Sequence, residues 1–405
     1  MASSLPSPIP GTGLIHLLPS GSFSHLAYSY PLKLISPSPL PSSSRGLRIV
    51  YLLSYGGGLI SGDKIWIEVL VEPGGTLILL TQGTTKVMKR RPRGRKSVLT
   101  SSSSSSASRA ILSSSAQSHA VIKRPTRPET TTQTLLITLS PSSSLFLLPS
   151  PTSCFARSRY TQRQRFELTT CGTASLMYLD WFTSGREKSL HEPTGREGGE
   201  RGERKEDWAA ERMEFFVEVW WGEKRGIAER IVLEDESTTN TLTNSQPDSS
   251  IRRGQNDLDP SSRSRLPPSS TPTPPPTSYA SSLSPYTIYL TLILAGPLLQ
   301  PLLSHFLSLQ TNAPKILKNL PPPGPRLLWS ISLLSDDASS SSGRGTGSLG
   351  GGGGGAGRGV KGQGRTAVVR ACAVEGEELK VWLEECVGEE MVKLVGKDGW
   401  EKAFG

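Results

Sequence analysis

Apolar and polar positions alternate most clearly between residues 64 and 81. In the run KIWIEVLVE, Ile65, Ile67, Val69 and Val71 fall on one side, with Lys64, Glu68 and Glu72 among the alternate positions. A period of two marks a half-buried strand. Glu72-Pro73-Gly74-Gly75 supplies a turn, and Thr76-Leu77-Ile78-Leu79-Leu80-Thr81 predicts a strand running back as the second arm of a hairpin. The stretch before it, Tyr55-Gly56-Gly57-Gly58-Leu59-Ile60-Ser61-Gly62-Asp63, is a glycine loop whose backbone needs positive φ or close approach. The second arm ends in the polar Gln82-Gly83-Thr84-Thr85-Lys86.

The same reading predicts strands within 14–18, 28–35, 47–53, 133–139 and 145–148. In YTQRQRFEL at 160–168, Thr161, Arg163, Arg165 and Glu167 share one face, and Gln162, Gln164, Phe166 and Leu168 share the other. A strand at 174–181 follows, and 212–221 with 226–233 predicts a second hairpin around Gly222-Glu223-Lys224. Further strands are expected at 287–294, 327–334 and 366–374. Pro297 suits a first helical position, and Leu298, Leu299, Leu302, Leu303, Phe306 and Leu307 form a helical stripe. Leu379, Trp382, Leu383 and Cys386 predict an amphipathic helix over 375–387. Many strands and two or three helices make a mainly β, β-rich domain.

Composition limits how much of the 405 residues can fold. Only 35% is apolar, and Gly 41 with Pro 32 approaches a fifth of the chain. Residues 1–10 and inserts at 90–130, 187–209, 236–285 and 335–366 are therefore expected to be disordered, leaving one domain of roughly 250 residues over 11–405. The formal charge of +10 belongs to one of these inserts. Residues 86–129 hold eleven Lys and Arg against Glu129 alone, so the rest of the chain is formally neutral. That segment admits a nucleic-acid-binding reading through counterion release, but it has no aromatic residue for stacking, which favours a solvated loop. Four cysteines without a CxxC spacing point to reduced thiols in an intracellular protein. The run 287–309, broken by Gly296, Pro297, Pro301 and His305, reads as a buried strand and short helix rather than a membrane span. A cytosolic location is expected.

Motifs for catalysis are weak. Gly57 to Lys64 nearly spaces like a phosphate-binding loop, but Asp63 follows the last glycine and a strand comes next. Gly345-Thr346-Gly347-Ser348-Leu349-Gly350 matches GxGxxG inside a Gly/Ser tract with no strand before it. The five histidines are dispersed, and neither GxSxG nor HExxH occurs. A sugar-active hydrolase would need paired carboxylates at a cleft, which sequence does not exclude. Asp63 and Asp180 can be capping residues of a turn and a strand end, or can line a polar passage for a hard or borderline cation.

Five segments in order carry a resemblance: YGGGLISGD at 55–63, EPGGTLILLTQGTTKVMK at 72–89, LLPSPTSCFARSRYTQRQRFEL at 147–168, LMYLDWFTSGR at 176–186 and GWEKAF at 399–404. Together they resemble the UreD (UreH) family of urease accessory proteins, with inserts of the size that eukaryotic, particularly fungal, members carry. Where the family tends to have LPDP, this chain has Leu148-Pro149-Ser150-Pro151, which puts any role of that acid in doubt. The resemblance implies a mostly antiparallel β fold with no enzymatic activity and no cofactor of its own. It implies a scaffold that binds UreF and, through it, the GTPase UreG, which holds the GTP. That assembly docks on apo-urease and promotes nickel insertion and lysine carbamylation, nickel being handled in transit.

On this reading Ser61, Asp63, Thr84, Thr85, Lys86, Asp180 and Arg186 border a route or docking surface for nickel transfer. Asp63 and Asp180 are the candidate metal residues. Gly56, Gly57, Gly58, Gly62, Gln82, Gly83, Arg163, Gln164, Arg165, Trp181, Ser184 and Gly185 complete the motif or partner-interface set.

Overall fold

The computed structural model describes residues 9–38, 47–90, 129–169, 172–185, 208–234, 278–312, 325–334 and 365–404. Most of the expected N-terminal and insert segments fall outside these residues. The strands begin with β1 (Thr12–Leu17), β2 (Phe23–Tyr28), β3 (Leu32–Ile35), β4 (Leu47–Ser54), β5 (Lys64–Val71), β6 (Thr76–Thr81) and β7 (Thr85–Val87). There follow β8 (Thr131–Leu139), β9 (Ser144–Leu148), β10 (Thr152–Cys154), β11 (Arg159–Leu168), β12 (Ser175–Thr183), β13 (Arg212–Trp221) and β14 (Lys224–Glu234). Helix α1 (Tyr279–Leu283) precedes β15 (Ile288–Ala295), α2 (Gln300–Asn312), β16 (Leu327–Leu334), β17 (Thr366–Ala373), α3 (Gly376–Val395) and α4 (Lys397–Phe404).

These strands form two sheets, so the mainly β expectation holds. One has seven strands in the order β14-β13-β11-β8-β5-β1-β2. The other has ten: β16-β17-β15-β12-β9-β6-β4-β3, with β10 paired to β12 and β7 paired to β10. The first apolar core lies between the sheets and includes Ile67, Leu79, Ile137, Leu147 and Phe166. A second core lies between the other face of the larger sheet and the helices, with Ile78, Phe146, Leu179, Phe306 and Leu383. Burying each such side chain contributes roughly 1.5–3 kcal/mol.

The expected hairpin of 64–81 is not one. β5 belongs to the smaller sheet and β6 to the larger, so Pro73-Gly74-Gly75 arches from one layer to the other. The burial of the two strands gives the reason. β5 alternates between buried and exposed positions, whereas Leu77 to Leu80 are buried on both faces, as only the middle layer allows. The same arch recurs from β8 to β9 and from β11 to β12. β5, β8 and β11 pair in parallel, as do β6, β9 and β12. Amide-to-carbonyl bonds stitch the arches together: Ser140 to Val71, Ser144 to Gly75, Thr169 to Leu139 and Ser175 to Ser143.

The mostly antiparallel expectation is corrected with it. Nine of the fifteen pairings between named strands are parallel. An arch returns the chain to the opposite sheet, so the next strand in the same sheet points the same way. The second hairpin does form, as β13 and β14 with Gly222 at its turn. The helix expected over 375–387 runs on to Val395, because Met391 and Val395 continue the buried stripe. α4 then occupies the closing segment, which had no assigned structure. α1 lies inside the expected insert 236–285 and is held by the Tyr279 hydroxyl donating to the Ala210 carbonyl at 2.6 Å.

Candidate functional site: a cleft where the glycine loop meets the Thr-Thr-Lys strand

The glycine loop packs on the end of the second arch arm. The Leu59 amide donates to the Lys86 carbonyl and the Met88 amide donates to the Leu59 carbonyl, both at 2.8 Å, forming a one-residue parallel bridge to Val87. Gly56 and Gly57 hold φ of 79° and 75°, the left-handed region that glycine enters without strain. Gly58 serves a different need. A Cβ there would lie 2.6 Å from the Lys86 carbonyl oxygen and 2.9 Å from Met88 Cε.

This junction forms one wall of a cleft of about 1340 Å³. The opposite parts of the lining come from distant segments: Leu148 to Pro151, Trp181, Gly185, the start of α3 at Gly376 and the end of α4 at Lys402. The cleft opens because the sheet forks. Beyond Leu148 and Thr81, β9 and β6 give way to β10 and β7, which pair with each other. The Trp181 indole N–H donates to the Pro149 carbonyl at 2.7 Å, and the Ser150 amide donates to Thr81 Oγ1 at 2.8 Å. Ser150, where the family tends to have an acid, therefore holds the fork through its backbone.

Of the predicted residues, Gly56, Gly57, Gln82, Gly83, Thr84, Lys86, Trp181 and Gly185 line this cleft. Thr85 sits beside it on β7, its amide donating to the Pro151 carbonyl at 3.0 Å. Ser184 is buried and exchanges backbone bonds with Thr287 and Trp208. Arg186 lies outside the described residues. Ser61 and Gly62 belong to the loop entering β5, where the Gly62 amide meets Thr131 Oγ1 at 3.3 Å. Arg163 and Arg165 stand apart on the outer face of the smaller sheet, as their alternation predicts. Arg165 stacks over Trp220 at 4.6 Å and pairs with Glu167 at 2.8 Å. Gln164 points inward, and its Oε1 has no hydrogen-bond partner among the described residues.

The two candidate acids occupy different environments and share no partner. Asp63 Oδ2 accepts the Ile60 amide at 2.8 Å, and the Asp63 amide donates to the Ile60 carbonyl at 3.1 Å. That is the geometry of a turn cap. Asp180 lies mid-strand on the face of β12 that looks between the sheets, 9% exposed. Burial pushes its carboxyl up to about 6, against hydrogen bonds from Gln162, Tyr178 and the Trp181 amide that hold the ionised form. Gln162 in turn accepts the Tyr160 hydroxyl at 2.9 Å, and Gln133 accepts it at 3.2 Å. Asp180 thus belongs to a buried polar chain across both sheets rather than to a strand end. No group of three or more His, Cys, Asp or Glu among the described residues is arranged to hold a metal ion.

Sequence reading missed Gln162 and Tyr178 as partners of Asp180, and Lys380 and Lys402 as part of the cleft. Lys402 falls in the GWEKAF segment, the one local hint; nothing near Lys380 marks it. The helix over 300–312 and the strand before it match the non-membrane reading of 287–309, and no described helix is long and apolar enough to cross a membrane. Residues 91–128, the bulk of the basic insert, lie outside the described residues.

Comparison with known proteins agrees with the motif reading. The family model described as UreD urease accessory protein matches residues 21–397. Urease accessory protein 4 of Cryptococcus neoformans var. grubii is 32% identical over 417 aligned residues, covering 100% of both chains. Urease accessory protein D of Oryza sativa subsp. indica is 32% identical over 160 residues, 40% of each chain. Urease accessory protein UreD of Anaeromyxobacter is 32% identical over 160 residues, 39% of each chain. With its segments in family order and a fungal relative aligned from end to end, the chain belongs to the UreD family of urease accessory proteins.

Proposed function

We propose that the chain is a non-catalytic scaffold of urease maturation that binds UreF, UreG and apo-urease and promotes nickel insertion into the urease active site. The observation that carries this reading is the convergence of the family segments. The glycine loop, the Thr-Thr-Lys strand, the Leu148–Pro151 link and the Trp181–Gly185 end meet at one cleft, joined by Lys402 of the C-terminal segment. Residues far apart in sequence that assemble one concave surface are suited to receiving a partner.

Nickel is cargo in this scheme and GTP belongs to the partner GTPase, in the cytoplasm. Asp180 is the acid best suited to meet a cation in passage. Its carboxyl sits among Gln162, Tyr178 and Tyr160 in the polar layer between the sheets, where oxygen ligands suit a hard or borderline ion. Asp63 is committed to its turn and supports the loop that borders the cleft.

Co-purification with UreF, UreG and apo-urease, followed by a urease assay and nickel measurement on the reconstituted complex, tests the reading. Wild-type protein is expected to join the complex and raise both nickel content and activity. Failure to associate with any of the three would overturn the scaffold role. Unchanged nickel content and activity in both Asp63→Ala and Asp180→Ala would remove the nickel route while leaving the scaffold.

A further inference from the structure

The charged side chains of the cleft are unbalanced. Four line it: Lys86, Lys380 and Lys402 against Glu377 alone. Among the described residues, neither Lys86 nor Lys402 has an acidic partner, and Lys380 reaches only Glu384, at 3.6 Å along its own helix. Glu377 sits in the first turn of α3, where a carboxylate complements the helix dipole. Basic surface here comes from β7, α3 and α4 together: Lys86 opens the basic segment 86–129, and the fold brings Lys380 and Lys402 to the same cleft.

The same cleft has an apolar wall. Ile35, Leu53 and Met88 line it, and Ile35 is 38% exposed. At about 1340 Å³ it exceeds the roughly 300–1,000 Å³ of small-molecule pockets. Of the three described aromatic residues lining it, Phe155 and Trp181 are 7% and 6% exposed and the Trp181 N–H is committed to Pro149, which leaves Tyr51 as a single half-buried ring rather than a row of stacking platforms. Size, charge and an aliphatic wall together favour a length of polypeptide over a metabolite or a nucleic acid.

We infer that the cleft seats an extended acidic segment of a partner protein, its carboxylates meeting Lys86, Lys380 and Lys402 and one aliphatic side chain resting on Ile35, Leu53 and Met88. The inference rests on reading this cleft as the docking surface of the urease-maturation scaffold, and it adds the chemistry of what docks.

The test uses the full chain and three fluorescent probes: a peptide of six glutamates and two leucines, the same peptide with lysine for glutamate, and a single-stranded oligothymidylate. Binding is followed by anisotropy at low and high salt. The acidic peptide is expected to bind, to weaken with salt, and to lose about tenfold in affinity in Lys86→Glu/Lys402→Glu, with Lys86→Arg/Lys402→Arg restoring it. Equal binding of the basic peptide, preference for the oligothymidylate, or no effect of charge reversal would overturn the inference. Urease activity is measured in parallel in cells lacking the protein. Peptide binding lost with urease activation intact overturns the acidic partner but leaves the scaffold role. Wild-type protein that fails to restore urease activity overturns the scaffold role itself.

Discussion

The Leu59 amide donates to the Lys86 carbonyl at 2.8 Å, and the neighbouring Gly58 lies so close to that carbonyl that no side chain fits between them. The φ of Gly58 is 165°, within the extended range open to any residue, so the glycine is required by contact rather than by torsion. Gly58→Ala is expected to cost about 1–3 kcal/mol, the usual range for overpacking, and to displace Met88. Denaturant unfolding measures the loss. A variant as stable as wild type would mean that the loop lifts freely from β7.

Asp180 makes stability depend on pH. Its carboxyl is raised from 3.8 to about 6 in the folded chain, so the folded state holds its proton more tightly than the unfolded state. The stabilisation is fully present below the unfolded value and is lost as pH rises through about 6. Asp180→Asn removes the charge and keeps a similar shape. It should gain relative to wild type between pH 4 and 7, by up to ~3 kcal/mol from the two-unit shift. Chemical denaturation of both proteins across that range gives the difference, and a constant offset would contradict a titrating carboxyl.

Asp63 separates a cap from a ligand by substitution. Asp63→Ala removes the acceptor of the Ile60 amide and should cost about 1 kcal/mol, whereas Asp63→Asn retains an oxygen there and should cost little. If the residue acts only as a cap, urease activation follows the same order. Loss of activation in a stable Asp63→Asn would instead assign the charge a direct part.

Tyr160→Phe tests the buried polar chain. The hydroxyl is the donor shared by Gln133 and Gln162, and the ring is fully buried. Its removal leaves acceptors without a proton and is expected to cost about 1–3 kcal/mol by thermal or denaturant unfolding. The pH dependence attributed to Asp180 should change with it, since Gln162 bridges the two residues.

Much of the fold was visible in local pattern, and the misreadings have physical causes. The alternation of Arg163, Arg165 and Glu167 with Gln164, Phe166 and Leu168 placed β11 correctly, because one of its faces is wet. Leu77 to Leu80 are four consecutive apolar residues, as a strand covered on both sides requires, but the Pro-Gly-Gly turn beside them suggested a hairpin. Turn chemistry specifies that the chain reverses, not which layer it enters. The glycine loop and the Thr-Thr-Lys strand were each legible as motifs, but the bridge from Leu59 to Val87 joins residues separated by β5 and β6 and is a product of packing. The approach of Lys402 to Tyr51 and the partnership of Asp180 with Gln162 come from long-range packing that no local spacing encodes.

Stacked arches make the molecule a short one-dimensional lattice, in which each coil draws cooperativity from the coils on either side. The coil of β8 and β9 is hydrogen-bonded on both flanks in both sheets. The glycine loop enters the coil before it, and Asp180 sits in the coil after it. Unfolding that begins at one of these sites reaches the other through β8 and β9 or along the short link from β7 by β10 to β12, so these two routes decide whether the cleft and the buried acid act as one unit or two.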